Sequence, residues 1–587
     1  MLDAARLAGV ELVAVCGGGG TCGTCRVRLA EGQLSAPSAD EEFLLSAEER
    51  AAGLRLAWQA RVTGDARLDI PPQSLTTPQR TQVEGLESEL ALDPPLVAAR
   101  VRVDPPRAGD LRADDQRLRD ALGQIGFHGV EFALPVLTAL PEMLRREGWA
   151  ACCVLDCSAA LPRVVAILPH DSRLYGLAVD VGTTKLAAYL VDLEDGRTAA
   201  RLGAMNPQIA YGEDVIARIA YCNQKATGRK TLQARLVETL NEMLAELCQQ
   251  ARVDARQVVG AVIVGNTAMH HLFAGLPVEQ LGAAPYVPAV NAPLEIPAQT
   301  VGLCIAPAAP VYLPPNIAGY VGANHVAMLL ATEAWKSAAN VLAMDIGTNT
   351  EITLAAGGRL LACSCASGPA FEGAHIHNGM RAAPGAIERV QIRAGKVQLH
   401  TIGNQSPVGL CGSGILDAIA ELAGTGVVNA RGALAREAGG VQVNGRRAEY
   451  VLVPAEHSGS GREIVVTRED VNQIQLAKAA IRAGTEILLR EAGIAAADLD
   501  RFYIAGAFGT YIDLKNAVKI GMFPNLPLER FAQVGNAAGS GARHLLLSRQ
   551  KRMDALELAA REEYIELTTY PDFTGMFVDA MFFPETA

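Results

Sequence analysis

The chain has 587 residues, half of them hydrophobic and a fifth charged, with a formal net charge of −11. That balance describes a folded protein of roughly three to five domains and excludes a disordered chain. The acidic excess, with no Lys/Arg cluster, argues against nucleic acid as the main partner. No apolar run reaches the length of a membrane span and the start lacks a signal peptide's apolar centre, so a cytoplasmic protein is expected, with no membrane partner.

In chain order, a short charged helix at 1–10 precedes Cys16-Gly17-Gly18-Gly19-Gly20-Thr21-Cys22-Gly23-Thr24-Cys25. In a reducing compartment three close thiols point to metal or redox chemistry before disulfides. The glycines let backbone N–H groups face cluster sulfurs. Zinc knuckles pair such motifs or add histidines, and the first histidine here is His128. Cys16, Cys22 and Cys25 resemble the loop of plant-type 2Fe-2S ferredoxins, one residue longer than its commonest form. That resemblance implies a β-grasp module over 1–72 and a fourth cysteine within a segment that here reads Leu56-Ala57-Trp58-Gln59. Trp58 stands where the ligand is expected, and an indole does not ligate iron as a thiolate does. The opening hairpin of such modules is also missing. Three explanations stay open: a start upstream of Met1, a degenerate module, or a ligand from elsewhere, with Cys152, Cys153 and Cys157 as candidates.

Residues 73–95 are polar and proline-marked and read as a linker that lets the first module move. A small α/β domain is expected over 96–172, with helices near Leu118 to Ile125 and Pro135 to Glu147. Strands are expected at Ala151 to Leu155 and Arg163 to Leu168. The simplest role for Cys152, Cys153 and Cys157 is as small buried hydrophobes.

At Leu177 to Leu190 an apolar strand runs into Asp180, turns at Gly182-Thr183-Thr184 and leaves through Lys185 and a second strand. The pattern returns at Val341 to Ile352 with Asp345, Gly347, Thr348 and Asn349, which indicates an internal duplication. Around a nucleoside triphosphate such tips are useful: glycine lets backbone N–H groups approach phosphate oxygens, hydroxyls donate further bonds, and each aspartate holds water on Mg²⁺. No Walker or dinucleotide-binding pattern follows either aspartate. The pair resembles the phosphate loops of the actin, sugar-kinase and heat-shock-chaperone ATPases. In that resemblance Ile504 to Gly509 is the adenosine motif and Val534 to Ala542 a second nucleotide-side turn, so Gly506, Gly509, Gly535 and Gly539 would flank adenosine. His270 and His271 are expected at a helix start in packing roles, and Cys363 and Cys365 in the core. The helix opening at Gly412 could meet an anion at its N-terminus, and the aromatic tail from Tyr570 is expected to dock on the main body.

The order of parts, together with Asn206-Pro207-Gln208, Ser367-Gly368-Pro369-Ala370-Phe371-Glu372-Gly373 and Tyr570-Pro571-Asp572-Phe573, resembles the ATP-dependent reductive activators of corrinoid proteins. The resemblance implies an α/β multidomain chain: ferredoxin-like module, middle domain and duplicated actin-like ATPase with lobes at 173–340 and 341–587. It implies ATP-driven transfer of an electron to Co(II) of a corrinoid-binding methyltransferase protein, restoring Co(I). The cofactors would be a 2Fe-2S cluster, ATP and Mg²⁺, and an upstream electron donor would be a second partner. Asp180 and Asp345 would position Mg²⁺ and water; Gly182, Thr183, Thr184, Gly347, Thr348 and Asn349 would grip phosphates, with Lys185 neutralising their charge. A homodimer is left open. Two alternatives stand beside it: a redox-silent ATPase that remodels a protein partner, favoured by Trp58, and an activase or small-molecule kinase sharing the nucleotide fold.

Overall fold

The computed structural model describes residues 1–7, 12, 23, 25–70, 83–86, 90–393, 395–445 and 447–584. Cys16 and Cys22 lie outside the described residues. In the first module β1 (Arg26–Leu34) is the centre of an antiparallel sheet between β2 (Leu54–Leu56) and β3 (Val62–Asp69). Its small core gathers Leu2, Cys25, Val27, Leu45 and Leu56. Arg55 closes this module by donating to the buried carboxylate of Glu41 at 3.0 and 2.8 Å, on the helix Ala39–Leu44.

Strands β4 (Leu96–Arg102), β5 (Glu131–Phe132), β6 (Ala150–Asp156) and β7 (Arg163–Leu168) form a sheet in the order β4-β6-β7-β5. Two helices, Asp114–Gln124 and Leu134–Arg146, cover one face. The strand period of two decides the rest. Cys153 and Leu155 face those helices, while Cys152, Val154 and Leu96 join the core of the following lobe. Both thiols are packing groups, and burial pushes that of Cys152 up to about 11.

The first lobe starts with a meander of β8 (Tyr175–Val181), β9 (Lys185–Asp192) and β10 (Thr198–Met205). It continues with β11 (Val258–Gly265) parallel to β8, then β12 (Leu294–Pro297) and β13 (Pro310–Leu313), the last parallel to β11. The second lobe repeats the plan with β14 (Val341–Ile346), β15 (Thr350–Ala356) and β16 (Arg359–Cys365). After two small sheets built by β17 (Ala386–Arg393) to β22 (Ile464–Thr467), β23 (Arg501–Ala505) pairs parallel with β14, and β24 (Phe531–Gly535) with β23. Numbering the strands of each large sheet in chain order, with β12 and β25 (Glu562–Tyr564) left out as edge additions, both sheets run third-second-first-fourth-fifth. The duplication visible in two hairpins therefore extends through two complete sheets.

The chain does not divide cleanly at residue 341. Helices Ala537–Leu547 and Arg549–Arg561 cross back, and their Ala542, Leu545, Leu546 and Leu558 complete the core of the first lobe. The aromatic tail docks on the long helix Arg468–Ala492: Lys478 Nζ donates to Ala580 and Phe582 carbonyls at 2.6 and 2.7 Å.

Candidate active site

Strands β8 and β14 end in the same place, at the floor of a cleft of about 220 Å³ between the lobes. Asp180, Gly182, Thr183, Thr184 and Lys185 line it from one side; Asp345, Gly347, Thr348, Asn349 and Gly506 line it from the other. The first residues of the helix Gly412–Gly424 also reach it, placing a helix N-terminus at the cleft.

Each loop is braced by the turn that follows its meander. In the first lobe, Asn206 N donates to Thr184 O at 2.9 Å and Asn206 Nδ2 to Gly182 O at 2.8 Å. Fully buried Arg218 donates to the carbonyls of Thr183 and Gly212, and Asn266 Nδ2 holds Thr183 Oγ1 at 2.9 Å. In the second lobe, Gly368 N donates to Thr348 O at 3.0 Å, and the Ser367 hydroxyl lies 3.4 Å from both Gly347 O and Thr348 O. The Asn206-Pro207-Gln208 and Ser367-Gly368-Pro369 stretches thus do equivalent work, and each opens a 3₁₀ turn.

Burial, and after it the charge of Asp345, pushes the Asp180 carboxyl up to about 7 against a hydrogen bond from Asn536. Burial pushes Asp345 up to about 6 against a bond from Asn324, and Glu351, its pairing partner on β15, well above the usual carboxylate range. Buried carboxyls of this kind are corrected by a hard cation. Among the described residues no three such side chains gather as direct ligands, so this donor set fits Mg²⁺ held through water and phosphate oxygens.

Gly506 has φ +90°, and a Cβ there would lie 2.8 Å from Asp345 Oδ1; only glycine lets this turn pass so close to the carboxylate. Gly506 lines the cleft, whereas for Gly509, Gly535 and Gly539 it is their neighbours Phe508, Asn536, Ala537 and Ala538 that do so. A Cβ on Gly509 would meet Ile504 and one on Gly539 the Tyr189 ring, so both serve packing. Gly535 pairs with Gly85, and Asn536 N donates to Glu84 O at 2.9 Å. A glycine turn signals close approach; here the approaching group is residues 83–86, held also by Tyr189 Oη to Val83 O at 2.8 Å and Ser540 Oγ to Leu86 O at 2.9 Å. Asn536, Ala537 and Ala538 present the opposite face of that turn to the cleft.

His271 donates from Nδ1 to Thr267 O at 2.7 Å and accepts at Nε2 from Ala289 N at 3.0 Å, so it is engaged in packing the helix Thr267–Ala274. Sequence reasoning missed two groups. Arg381, which lines the cleft, pairs with Glu213 of the first lobe at 3.1 Å, and Glu372 accepts hydroxyl bonds from Thr184 at 2.8 Å and from Thr348. The signal for Glu372 was its place in the turn that repeats Pro207–Tyr211.

In the first module Ala57 N donates to Cys25 O at 2.8 Å, so Trp58 stands beside Cys25 in one small core. Its indole Nε1 has no hydrogen-bond partner among the described residues. The described residues supply one loop thiol, Cys25, next to the fourth position, and that position holds an N–H donor rather than a thiolate.

The chain matches a family model described as the C-terminal domain of RACo, the ASKHA domain, over residues 339–587, the RACo middle region over 175–337 and the RACo linker region over 85–173. Residues 1–63 match a 2Fe-2S iron-sulfur cluster binding domain. It is 35% identical over 429 residues to the corrinoid activation enzyme RamQ of Eubacterium limosum, covering 71% of this chain and 72% of that one. It is 27% identical over 431 residues, 69% of this chain and 76% of the relative, to the Co(II) methylated amine-specific corrinoid protein reductase of Methanosarcina barkeri. A solved structure of a reductive activator for corrinoid,iron-sulfur protein superposes with TM-score 0.76 and 35% identity over 100% of this chain and 96% of that one.

Proposed function

This chain belongs to the family of reductive activators of corrinoid proteins, and on that premise we propose that it reactivates a corrinoid protein at the expense of ATP, delivering one electron to Co(II) to restore Co(I). The observation that carries the ATP half is the convergence of Asp180 and Asp345, each on a duplicated hairpin, on one cleft. In this role the N–H groups and hydroxyls of Gly182 to Thr184 and Gly347 to Asn349 grip phosphates. Asp180 and Asp345 orient the water shell of Mg²⁺, and Lys185 offsets phosphate charge. Closure of the two lobes on ATP then changes affinity for the corrinoid protein, a population shift driven by differential binding.

The module at 1–63 carries the redox half. Cys16, Cys22 and Cys25 are the residues that would hold a 2Fe-2S cluster, which when bound supplies a one-electron carrier. The ligand at the fourth position is not Trp58, and Cys152 and Cys153 are buried between other layers. An upstream donor reloads the module after each delivery. Among the described residues no helix is long and apolar enough to cross a membrane, and the described cysteines are free thiols, which supports a cytoplasmic setting.

The test is anaerobic purification with iron and acid-labile sulfide counted per chain, followed by visible spectroscopy of a Co(II) corrinoid protein with reductant and with or without Mg·ATP. The expected outcome is about two irons and two sulfides and Co(I) formation only with ATP. Co(I) formation without iron would favour the redox-silent reading that Trp58 supports, with electrons delivered by another protein. No ATP effect on cobalt would overturn the proposal.

A further inference from the structure

Thr184 and Thr348 stand on the two loops, one from each lobe, and both hydroxyls donate to the same carboxylate: Glu372 Oε2 accepts from Thr184 at 2.8 Å and Oε1 from Thr348. Glu372 ends the 3₁₀ turn Pro369–Glu372, which is anchored to the second loop by Gly368 N to Thr348 O at 3.0 Å. Its neighbour Phe371 stacks on Phe508 at 4.4 Å and 14°, which fixes the turn against the wall of the cleft. Lys185, Arg218 and Glu213 from the first lobe lie within electrostatic reach of Glu372, and Arg381 pairs with Glu213 beside it. Asp180, Asp345 and Glu351 are differently placed: all three are at the strand ends, and none bridges the two hydroxyls.

A carboxylate oxygen pair that accepts from both loop hydroxyls imitates two oxygens of a terminal phosphate. Phosphate oxygens that took over the Thr184 and Thr348 hydroxyls would release both Glu372 oxygens beside them as proton acceptors. We propose that Glu372 is the proton acceptor for the water that attacks ATP, and that its contact with both loops ties that role to lobe closure. The inference rests on the ATP-hydrolysing reading above. In the step, the water oxygen bonds to the γ-phosphorus while the bond from that phosphorus to the β,γ-bridging oxygen breaks. The bridging oxygen keeps the electron pair and leaves as ADP. One water proton passes to Glu372 and on to solvent, and inorganic phosphate is the second product.

The experiment uses the full chain with Mg·ATP, measuring binding by calorimetry and hydrolysis in a single turnover, for the natural chain, Glu372→Gln and Glu372→Ala. Glutamine keeps the length and one acceptor oxygen but takes no proton. The expected result for Glu372→Gln is binding within about threefold and hydrolysis slower by about 10²-fold or more, with Glu372→Ala losing the rate to a similar extent. Hydrolysis by Glu372→Gln within about fivefold of the natural chain would overturn the inference. So would a parallel loss of binding and rate in Glu372→Gln, which would make Glu372 a brace between lobes. A natural chain that binds Mg·ATP without hydrolysing it would overturn the ATP-hydrolysing reading itself, a failure visible before any variant is compared.

Discussion

In the first lobe the loop at Gly182 to Thr184 is braced from behind by amide and guanidinium donors, those of Asn206, Asn266 and buried Arg218. In the second lobe the loop at Gly347 to Asn349 has the Ser367 hydroxyl behind it and the Glu372 carboxylate in front. Both loops share one backbone bond from the following turn, Asn206 N to Thr184 O and Gly368 N to Thr348 O, because identical strand order brings that turn to the same place. Topology has kept the backbone bond while the side chains diverged. One lobe carries a support of amides and a fully buried guanidinium; the other carries a hydroxyl support, itself paired with Thr350 Oγ1 at 2.8 Å, and the group that reaches across.

That contrast predicts unequal damage. Arg218→Met should be the most disruptive change, because it leaves the Thr183 and Gly212 carbonyls without their donor in a fully buried site. A loss of about 3 kcal/mol or more is expected, read as a lowered denaturant midpoint with nucleotide binding abolished. An unchanged midpoint would break the picture of Arg218 as the main brace of the first loop.

Next comes the pH dependence of the metal-free chain. Asp180 and Asp345 keep their protons up to about pH 7 and about 6 in the fold, against about 3.9 in an unfolded chain. The folded state thus binds more protons in that window, and stability present at low pH is lost as pH rises through 6 and 7, by up to about 1.4 kcal/mol per unit and group. Melts from pH 5 to 8 should show a falling Tm without metal and a flatter profile with Mg·ATP. A metal-free Tm that rises with pH would sink this account.

A smaller difference separates Asn206→Ala from Ser367→Ala. The first removes the 2.8 Å bond to Gly182 O and the acceptor of the Gln208 amide and should cost about 1–2 kcal/mol; the second removes the 2.8 Å bond with Thr350 Oγ1 and two 3.4 Å contacts with loop carbonyls and should cost about 1 kcal/mol. Nucleotide titrations of both variants sharpen the comparison, and equal losses would remove the asymmetry. The mildest change is Gly85→Val, whose Cβ would lie 2.3 Å from Asn536 O. Faster hydrogen exchange at the Asn536 amide, with the global midpoint little moved, is the expected result.

The sequence by itself was enough to expose the two acid-tipped hairpins, because strand alternation and a Gly-Thr turn are local and repeat. The cysteine loop and the misfit at Trp58 were legible for the same reason, being spacing and donor chemistry. What lay beyond it were relations between distant segments. Val534 to Ala542 announces a tight backbone approach without saying what approaches, and only the packed chain brings residues 83–86 against one face of that turn. The return of 537–558 into the first lobe depends on an apolar helix face finding β8 and β11 across the molecule. Glu372 gains its meaning only when two loops 164 positions apart in chain place Thr184 and Thr348 on either side of it. Local patterns determine strands and turns through backbone sterics and side-chain period; which surfaces meet is decided by the burial of whole faces, and that is written in no single stretch of the chain.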